Sequence, residues 1–227
     1  MRSTLRAQTF IDGTAYGERD VRQWELERSR AALALLKRRV GDDRMRELLA
    51  AETRAGDEVM RAAARDGRGA WCTAVTELDV EGLGAAEFLA WWQGRLAAPD
   101  RAALLAANPE HYVAASDPAT GVVEIVETVG DGPLRFFLTF HDGVPIAGEG
   151  HDTYPVRVGG TGRLADGTEV CRVMHEFKDT PKGLHIRLTV QFPEGAPAHI
   201  PTGHQWHFAC EFLNWAEAAK RATESAA

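Results

Sequence analysis

Residues 169–192, EVCRVMHEFKDTPKGLHIRLTVQF, decide the expected fold. Apolar and polar residues alternate in each half, and the central KDTPKG is a turn signal, so the stretch predicts a β-hairpin. Shortly afterwards the period changes, because the residues from about Gln205 to Ala219 repeat as a helix does. The pattern therefore predicts an α+β protein whose antiparallel sheet precedes a long C-terminal helix.

The middle of the chain extends this pattern. WCTAVTELDV (71–80) is strand-like, and GVVEIVETVG (121–130) with LRFFLTF (134–140) predicts a second hairpin. The intervening residues 84–112 predict one or two helices, and the glycine-rich residues 148–162 are interpreted as a loop. The order fits a Bet v 1- or START-like helix-grip, although other α+β layouts share it.

The N-terminal part has a helical rather than a strand-like sequence pattern. Residues 20–40 and 42–67 predict two helices separated by Gly41. A helix pair of this size has little core of its own, so it is either packed on the surface or used to join two chains. We expect an N-terminal helical region at residues 1–68, which associates two chains into a homodimer, and a helix-grip domain at residues 69–227.

Composition excludes several classes of protein. The 227 residues have a formal net charge of −7, which argues against nucleic-acid and anionic-membrane partners. No apolar run reaches the roughly 18 residues of a membrane span, and the N-terminus lacks the apolar core of a secretory signal. Three widely spaced cysteines, Cys72, Cys171 and Cys210, are typical of reduced thiols, so a cytoplasmic location is expected.

Alternation also predicts which polar side chains point inward. His175 shares a strand face with Val173 and Phe177, whereas His185 lies on the polar face of the next strand and is expected to be exposed. Glu127 shares a face with apolar neighbours, while Glu124 lies on the opposite face, which is also apolar. A buried carboxylate needs a partner, because its desolvation is costly.

Several side chains are candidates for that partner. His207 and Glu211 are four residues apart, so they share one face of the last helix. Together with His111 and Glu127 they could enclose a divalent cation such as Zn²⁺, which accepts imidazole nitrogen and carboxylate oxygen. Ordinary interpretations remain open: His207 and Glu211 could be a simple side-chain pair on a helix, His175 a hydrogen-bonded core histidine, and His111 a loop residue. His204 is expected to cap the helix or to lie in solvent.

Four segments, taken in order, resemble the diacetylphloroglucinol and phloretin hydrolases, over residues 87–217. They are EFLAWWQGRL with NPEHYVAASDP (87–96, 108–118), VETVGDGP (126–133), VMHEFKDTPKGLHIRLTVQF (173–192) and HFACEF (207–212). The resemblance implies that His111, Glu127, His207 and Glu211 hold Zn²⁺ and that His175 lies in the catalytic site. The stretch from His111 to Glu127 is shorter than in that family, and the substrate-orienting tyrosines have no clear match here.

The resemblance implies a zinc-dependent hydrolase that cleaves the carbon–carbon bond between an acyl group and a phenolic ring, or in a related diketone. His175 is expected to supply a proton or a hydrogen bond to the small aromatic ketone. One alternative is a non-catalytic carrier of aromatic or polyketide ligands, because a fold does not fix function. Another is a purely structural metal with four protein ligands.

Overall fold

The computed structural model describes residues 8–98, 101–141, 146 and 153–226. Within these ranges the chain forms nine strands and six helices. Their order is β1 (Thr9–Ile11), β2 (Thr14–Tyr16), α1 (Glu18–Val40), α2 (Asp42–Leu48), α3 (Ala50–Asp66), β3 (Trp71–Glu81), α4 (Ala85–Ala97), α5 (Ala102–Ala107), β4 (His111–Ser116), β5 (Val123–Val129), β6 (Gly132–His141), β7 (Val156–Arg163), β8 (Glu169–Thr180), β9 (Gly183–Pro193) and α6 (His199–Ala226).

Seven of the described strands form one antiparallel sheet in the order β3-β9-β8-β7-β6-β5-β4. Both hairpins expected from the sequence are present, as β5–β6 and β8–β9. Strands β3 and β9 are distant in the chain but pair over the whole length of β3, from Trp71 opposite Pro193 to Glu81 opposite Gly183. The face of β9 that begins with Leu184 and Ile186 is buried, as alternation predicts.

The C-terminal helix α6 packs against β3, β5 and β9 and against α4 and α5. Its buried side chains recur at helical spacing, in the order His204, Phe208, Phe212, Trp215 and Ala219. The α+β helix-grip class is confirmed by this arrangement of sheet and helix. No helix among the described residues is both long and apolar enough to cross a membrane.

The predicted limits of α6 were too narrow. The helix begins at His199 and ends at Ala226, rather than running from Gln205 to Ala219. Pro201 and Gly203 disfavour helix by propensity, so the sequence pattern placed the start too late. Proline is tolerated in the first turn, because the amide hydrogens there have no partner within the helix.

The N-terminal region contains three helices where two were predicted. The predicted second helix is interrupted at Leu49, which separates α2 from α3. The small β1–β2 hairpin was not predicted. Helix α3 packs on β6, and Met60 joins the same core as the sheet residues. Gly56 permits this approach, since a Cβ there would lie 2.6 Å from the Pro133 carbonyl oxygen. The proposed boundary at residue 68 falls in the turn between α3 and β3.

Two strands of the large sheet were also missed in the sequence. Strand β7 lies in the glycine-rich stretch that was interpreted as a loop. Strand β4 begins at His111, within the stretch 84–112 that was expected to be helical. Gly162 of β7 has a steric reason, because a Cβ there would lie 2.4 Å from the Cys171 sulfur. Close packing of the sheet face, not turn formation, accounts for this glycine.

Candidate metal centre

A β-bulge places His111 and Glu127 opposite each other at the edge of the sheet. The β4–β5 register pairs Val113 with Val126, and it shifts between His111 and Val113 so that His111 pairs with Glu127. Continued without that shift, the register would have set His111 opposite Thr128. The bulge thus brings an imidazole and a carboxylate side by side across two strands.

Helix α6 supplies the other two predicted ligands. The Nε2 atoms of His111 and His207 lie 3.0 Å apart, and Glu211 Oε1 lies 3.6 Å from His111 Nε2. Glu127 Oε2 lies 3.7 Å from His111 Nε2 and 3.6 Å from His207 Nε2. All four side chains are buried. The four predicted residues therefore lie close together between β4, β5 and α6.

These separations fit the donor set of a tetrahedral metal. Bonds of about 2.1 Å in tetrahedral geometry place ligand atoms roughly 3.4 Å apart. His111, His207 and Glu211 each offer a donor atom within 4.8 Å of the others, and Glu127 is not part of this mutually close group. The His111 Nδ1 atom lies 3.0 Å from the Leu104 carbonyl oxygen, which fixes Nδ1 as the donor and leaves the Nε2 lone pair facing the cluster.

Burial and mutual charge strongly perturb these groups. Burial, with the nearby His207 charge, lowers the pKa of His111 to about 3. Burial also raises the pKa of Glu127, and it raises the pKa of Glu211 to about 8. Burial lowers the pKa of His207, but the carboxylates of Glu127, Glu110 and Glu211 outweigh it and raise the value to about 9. Protons held by His207 and Glu211 are those that a cation would displace.

His111, Glu127 and Glu211 line a cavity of about 100 Å³, whereas His207 lies outside its lining. Aliphatic side chains of β5, β6 and β8 form much of its wall. Its aromatic lining consists of Trp92, Phe136, Phe140, Phe192, Phe208 and Trp215. Polar side chains within a mostly apolar and aromatic wall are suited to a small ligand that carries a polar group.

His175 lies in the cavity wall, as alternation predicted. Its ring contacts Trp92, Phe208 and Phe212, with centroid distances between 5.1 and 6.0 Å. Its Nδ1 atom is buried without a hydrogen-bond partner among the described residues. Burial lowers the pKa of His175 to about 3, so the ring is neutral at pH 7.

His204 also lines the cavity, contrary to the expectation that it caps the helix or lies in solvent. It is buried and stacks on His207, with ring centroids 4.8 Å apart. The pKa of His204 lies well below its ordinary value, mainly because the ring is buried and also because the His207 charge is near. Because α6 begins earlier than predicted, His204 falls on the same helix face as Phe208 and Glu211. Extending the helical period by one turn would have identified it.

Two further predictions concern residues outside the cavity. His185 is not freely exposed, because its Nδ1 lies 2.8 Å from Asp79 Oδ1 and its Nε2 lies 3.1 Å from the Tyr154 hydroxyl. The alternation was correct, but neighbouring side chains cover the outer face of the strand. Glu124 lies away from the cavity and accepts hydrogen bonds from Arg46 and Arg135. The choice of Glu127 as the cavity carboxylate therefore agrees with the structure.

Comparison with known proteins gives similarity of architecture only. No family model matches the chain, and no curated protein matches its sequence. Ara h 8.0201 aligns with a TM-score of 0.47 and 10% identity, over 66% of this chain and 99% of its own. A protein from Mesorhizobium loti aligns at 0.42 and 15% identity, over 66% and 98%. One from Rhizobium leguminosarum aligns at 0.39 and 17%, over 66% and 95%. At these TM-scores the likenesses carry no argument about function.

Proposed function

We propose that this chain is a divalent-cation-dependent hydrolase that cleaves the carbon–carbon bond between an acyl group and a phenolic ring, or in a related diketone. The supporting observation is that His111, Glu127, His207 and Glu211 lie close together and that all of them except His207 line an aromatic cavity. Two buried carboxylates beside two imidazoles are costly in a site that only binds an apolar ligand. Their combined charge matches that of a cation such as Zn²⁺.

The cation and the cavity have separate tasks in this proposal. When bound, a divalent cation supplies Lewis acidity to an acyl carbonyl and lowers the pKa of water to about 7. Trp92 and Phe208 hold the phenolic ring by apolar contact. In the overall reaction the hydroxyl of water joins the acyl carbon, the bond to the ring carbon breaks, and that carbon takes a proton.

His175 is the cavity residue best suited to assist the ring. Because its pKa is lowered to about 3, it is neutral at pH 7 and carries a single N–H. A neutral imidazole favours hydrogen-bond donation to a ring hydroxyl over delivery of an ionic proton. Such a bond would stabilise the ring carbanion through its phenolic tautomer as the acyl group leaves.

A second candidate function is non-catalytic binding of an aromatic or polyketide ligand. The apolar character of most of the cavity wall favours it, because such a wall binds aromatic ligands without chemistry. In that case the four polar residues would anchor a ligand or hold a structural metal.

One experiment separates the candidates. The full chain is stripped with a chelator, then supplied in parallel with Zn²⁺, Mn²⁺ or Fe²⁺ and incubated with an acylphloroglucinol. If the chain is a hydrolase, the stripped protein should release no carboxylic acid, and adding the cation should restore that release. The Glu211→Gln variant should release none even with the cation. Saturable ligand binding with no product under any cation would refute the hydrolase and support the binding protein.

A further inference from the structure

The two candidate histidine ligands differ in the support of their second ring nitrogen. His111 Nδ1 donates to the Leu104 carbonyl oxygen at 3.0 Å. His207 Nδ1 is buried and has no hydrogen-bond partner among the described residues. The carboxylate of Glu110 lies nearby, with its Oε2 atom 3.7 Å from His207 Nδ1. That distance exceeds a hydrogen bond by a few tenths of an ångström, which a change of Glu110 rotamer can close.

The backbone that carries Glu110 is tied to the helix that carries His207. Buried Asn108 accepts the Glu110 amide hydrogen through Oδ1 at 3.0 Å. The Asn108 Nδ2 atom donates to the His207 carbonyl oxygen at 3.3 Å. The Asn108 side chain therefore connects the backbone of Glu110, which precedes His111, to the backbone of His207.

Lys37, from the N-terminal helix α1, secures the other side of the same segment. Its Nζ atom donates to the Pro109 carbonyl oxygen at 2.9 Å and also to the His111 carbonyl oxygen. These two carbonyls flank Glu110. Lys37 is buried, and burying an ammonium group is costly unless its hydrogen-bond donors are used. The contact therefore makes α1 part of the support of the candidate centre.

We infer that Glu110 is a positioning residue for His207, whose Nδ1–H its carboxylate accepts, and that Lys37 holds the backbone on which Glu110 is placed. A bond at Nδ1 fixes the ring tautomer and leaves the Nε2 lone pair for a cation. The inference rests on the proposed function, because the direction of Nε2 matters for chemistry only where a cation binds. Otherwise, Glu110 is a half-exposed carboxylate with a weak, solvent-screened effect on the imidazole.

The test measures cation affinity rather than turnover. The full-length chain is stripped of metal and titrated with Zn²⁺ against a competing chelator, and separately with Co²⁺, whose visible spectrum reports ligand geometry. The variants are Glu110→Ala, Glu110→Gln and Lys37→Met. Glu217→Gln is the matched control, since Glu217 is a half-exposed carboxylate on α6 that faces Arg221.

We expect Glu110→Ala to weaken cation affinity by roughly 10–100-fold and to change the Co²⁺ spectrum. Glu110→Gln should recover much of the affinity, because its amide oxygen still accepts the Nδ1–H. Lys37→Met should weaken affinity in the same direction, while Glu217→Gln should match the wild type. Melting temperatures in chelator show that each variant is folded.

The possible failures are distinguishable. Wild-type affinity and an unchanged spectrum in Glu110→Ala would overturn the positioning role and leave the hydrolase proposal intact. An equal loss in Glu110→Gln and Glu110→Ala would assign the effect to charge alone and would also overturn it. Wild-type affinity in Lys37→Met would remove Lys37 from the support. A wild-type chain that binds neither cation would refute the proposed function and this inference together.

Discussion

His111 and His207 direct their Nε2 atoms at each other from 3.0 Å, although 96 residues separate them in the chain. The bond from His111 Nδ1 to the Leu104 carbonyl oxygen leaves only a lone pair on His111 Nε2. His207 Nε2 must then either carry a proton or share a cation with His111. The pKa of His207 is raised to about 9, so without a cation His207 carries the proton at pH 7. Metal binding would replace that proton with a shared cation.

The first prediction concerns metal content. We expect about one Zn²⁺ per chain, and we expect Glu211→Gln and His207→Ala each to reduce it strongly, because each removes one of four converging donors. Elemental analysis after purification in metal-free buffer measures the ratio, with Glu217→Gln as the unaffected control. Unchanged content in both ligand variants would show that the site is wrong.

The second prediction concerns the role of His175 in turnover. If its N–H assists carbon–carbon cleavage, His175→Ala should lower kcat by roughly 10²–10⁴ while zinc content stays intact. His185→Ala is the control. It loses bonds to Asp79 and Tyr154 on the outer face of the sheet, so we expect a lower melting temperature with normal kcat. A folded, zinc-loaded His175→Ala protein with full activity would remove His175 from the mechanism.

The third prediction uses the same residue to test pH dependence. The folded-state pKa of His175 is lowered from 6.5 to about 3 by burial. Between these values the unfolded chain binds a proton that the native chain does not, so stability is complete above pH 6.5 and falls as the pH drops toward 3. The slope for one proton is about 1.4 kcal/mol per pH unit.

His175→Phe removes that proton and keeps an apolar ring in the wall. Urea unfolding in chelator, from pH 7 to pH 4.5, should show a shallower loss of stability for the variant than for the wild type. Measurements at pH 8, where both side chains are neutral, provide the packing difference alone. Parallel curves for the two proteins would contradict the burial of His175.

The fourth prediction concerns association through α1. The first ten residues of this helix have a net charge of −2, and the remaining thirteen carry five cations and no acid. Trp24 is 64% exposed, and Leu35, which lies on the same face of the helix, is 47% exposed. Two such helices packed antiparallel would place unlike charges together and bury these side chains. We therefore expect a homodimer.

Light scattering on a Trp24→Glu, Leu35→Glu double variant should give the monomer mass of 24.8 kDa. Val59→Glu, at an exposed apolar position on α3, is the control and should remain dimeric. A chain that begins near Gly69 is unsuitable, because it loses Met60 from the core and Lys37 from the candidate centre. A wild-type mass of 24.8 kDa would contradict association through α1.

The sequence by itself determined the features that depend on local period. Side chains alternate across a strand and recur every 3.6 residues on a helix, so the inward direction of Glu127 and His175 could be predicted without neighbours. The shared face of His207 and Glu211 followed in the same way. The order of hairpins and final helix was sufficient for the α+β class, because sequential elements tend to pack together.

Only the tertiary structure decided how these faces converge. The bulge that sets His111 opposite Glu127 is a register shift between strands, and strand register is not visible in either strand alone. The burial of His204 depends on where α6 meets the cavity, and the reach of Lys37 to residues 109 and 111 depends on how α1 docks. Each is a contact between residues distant in the chain, so its geometry is fixed by packing rather than by local sequence preference.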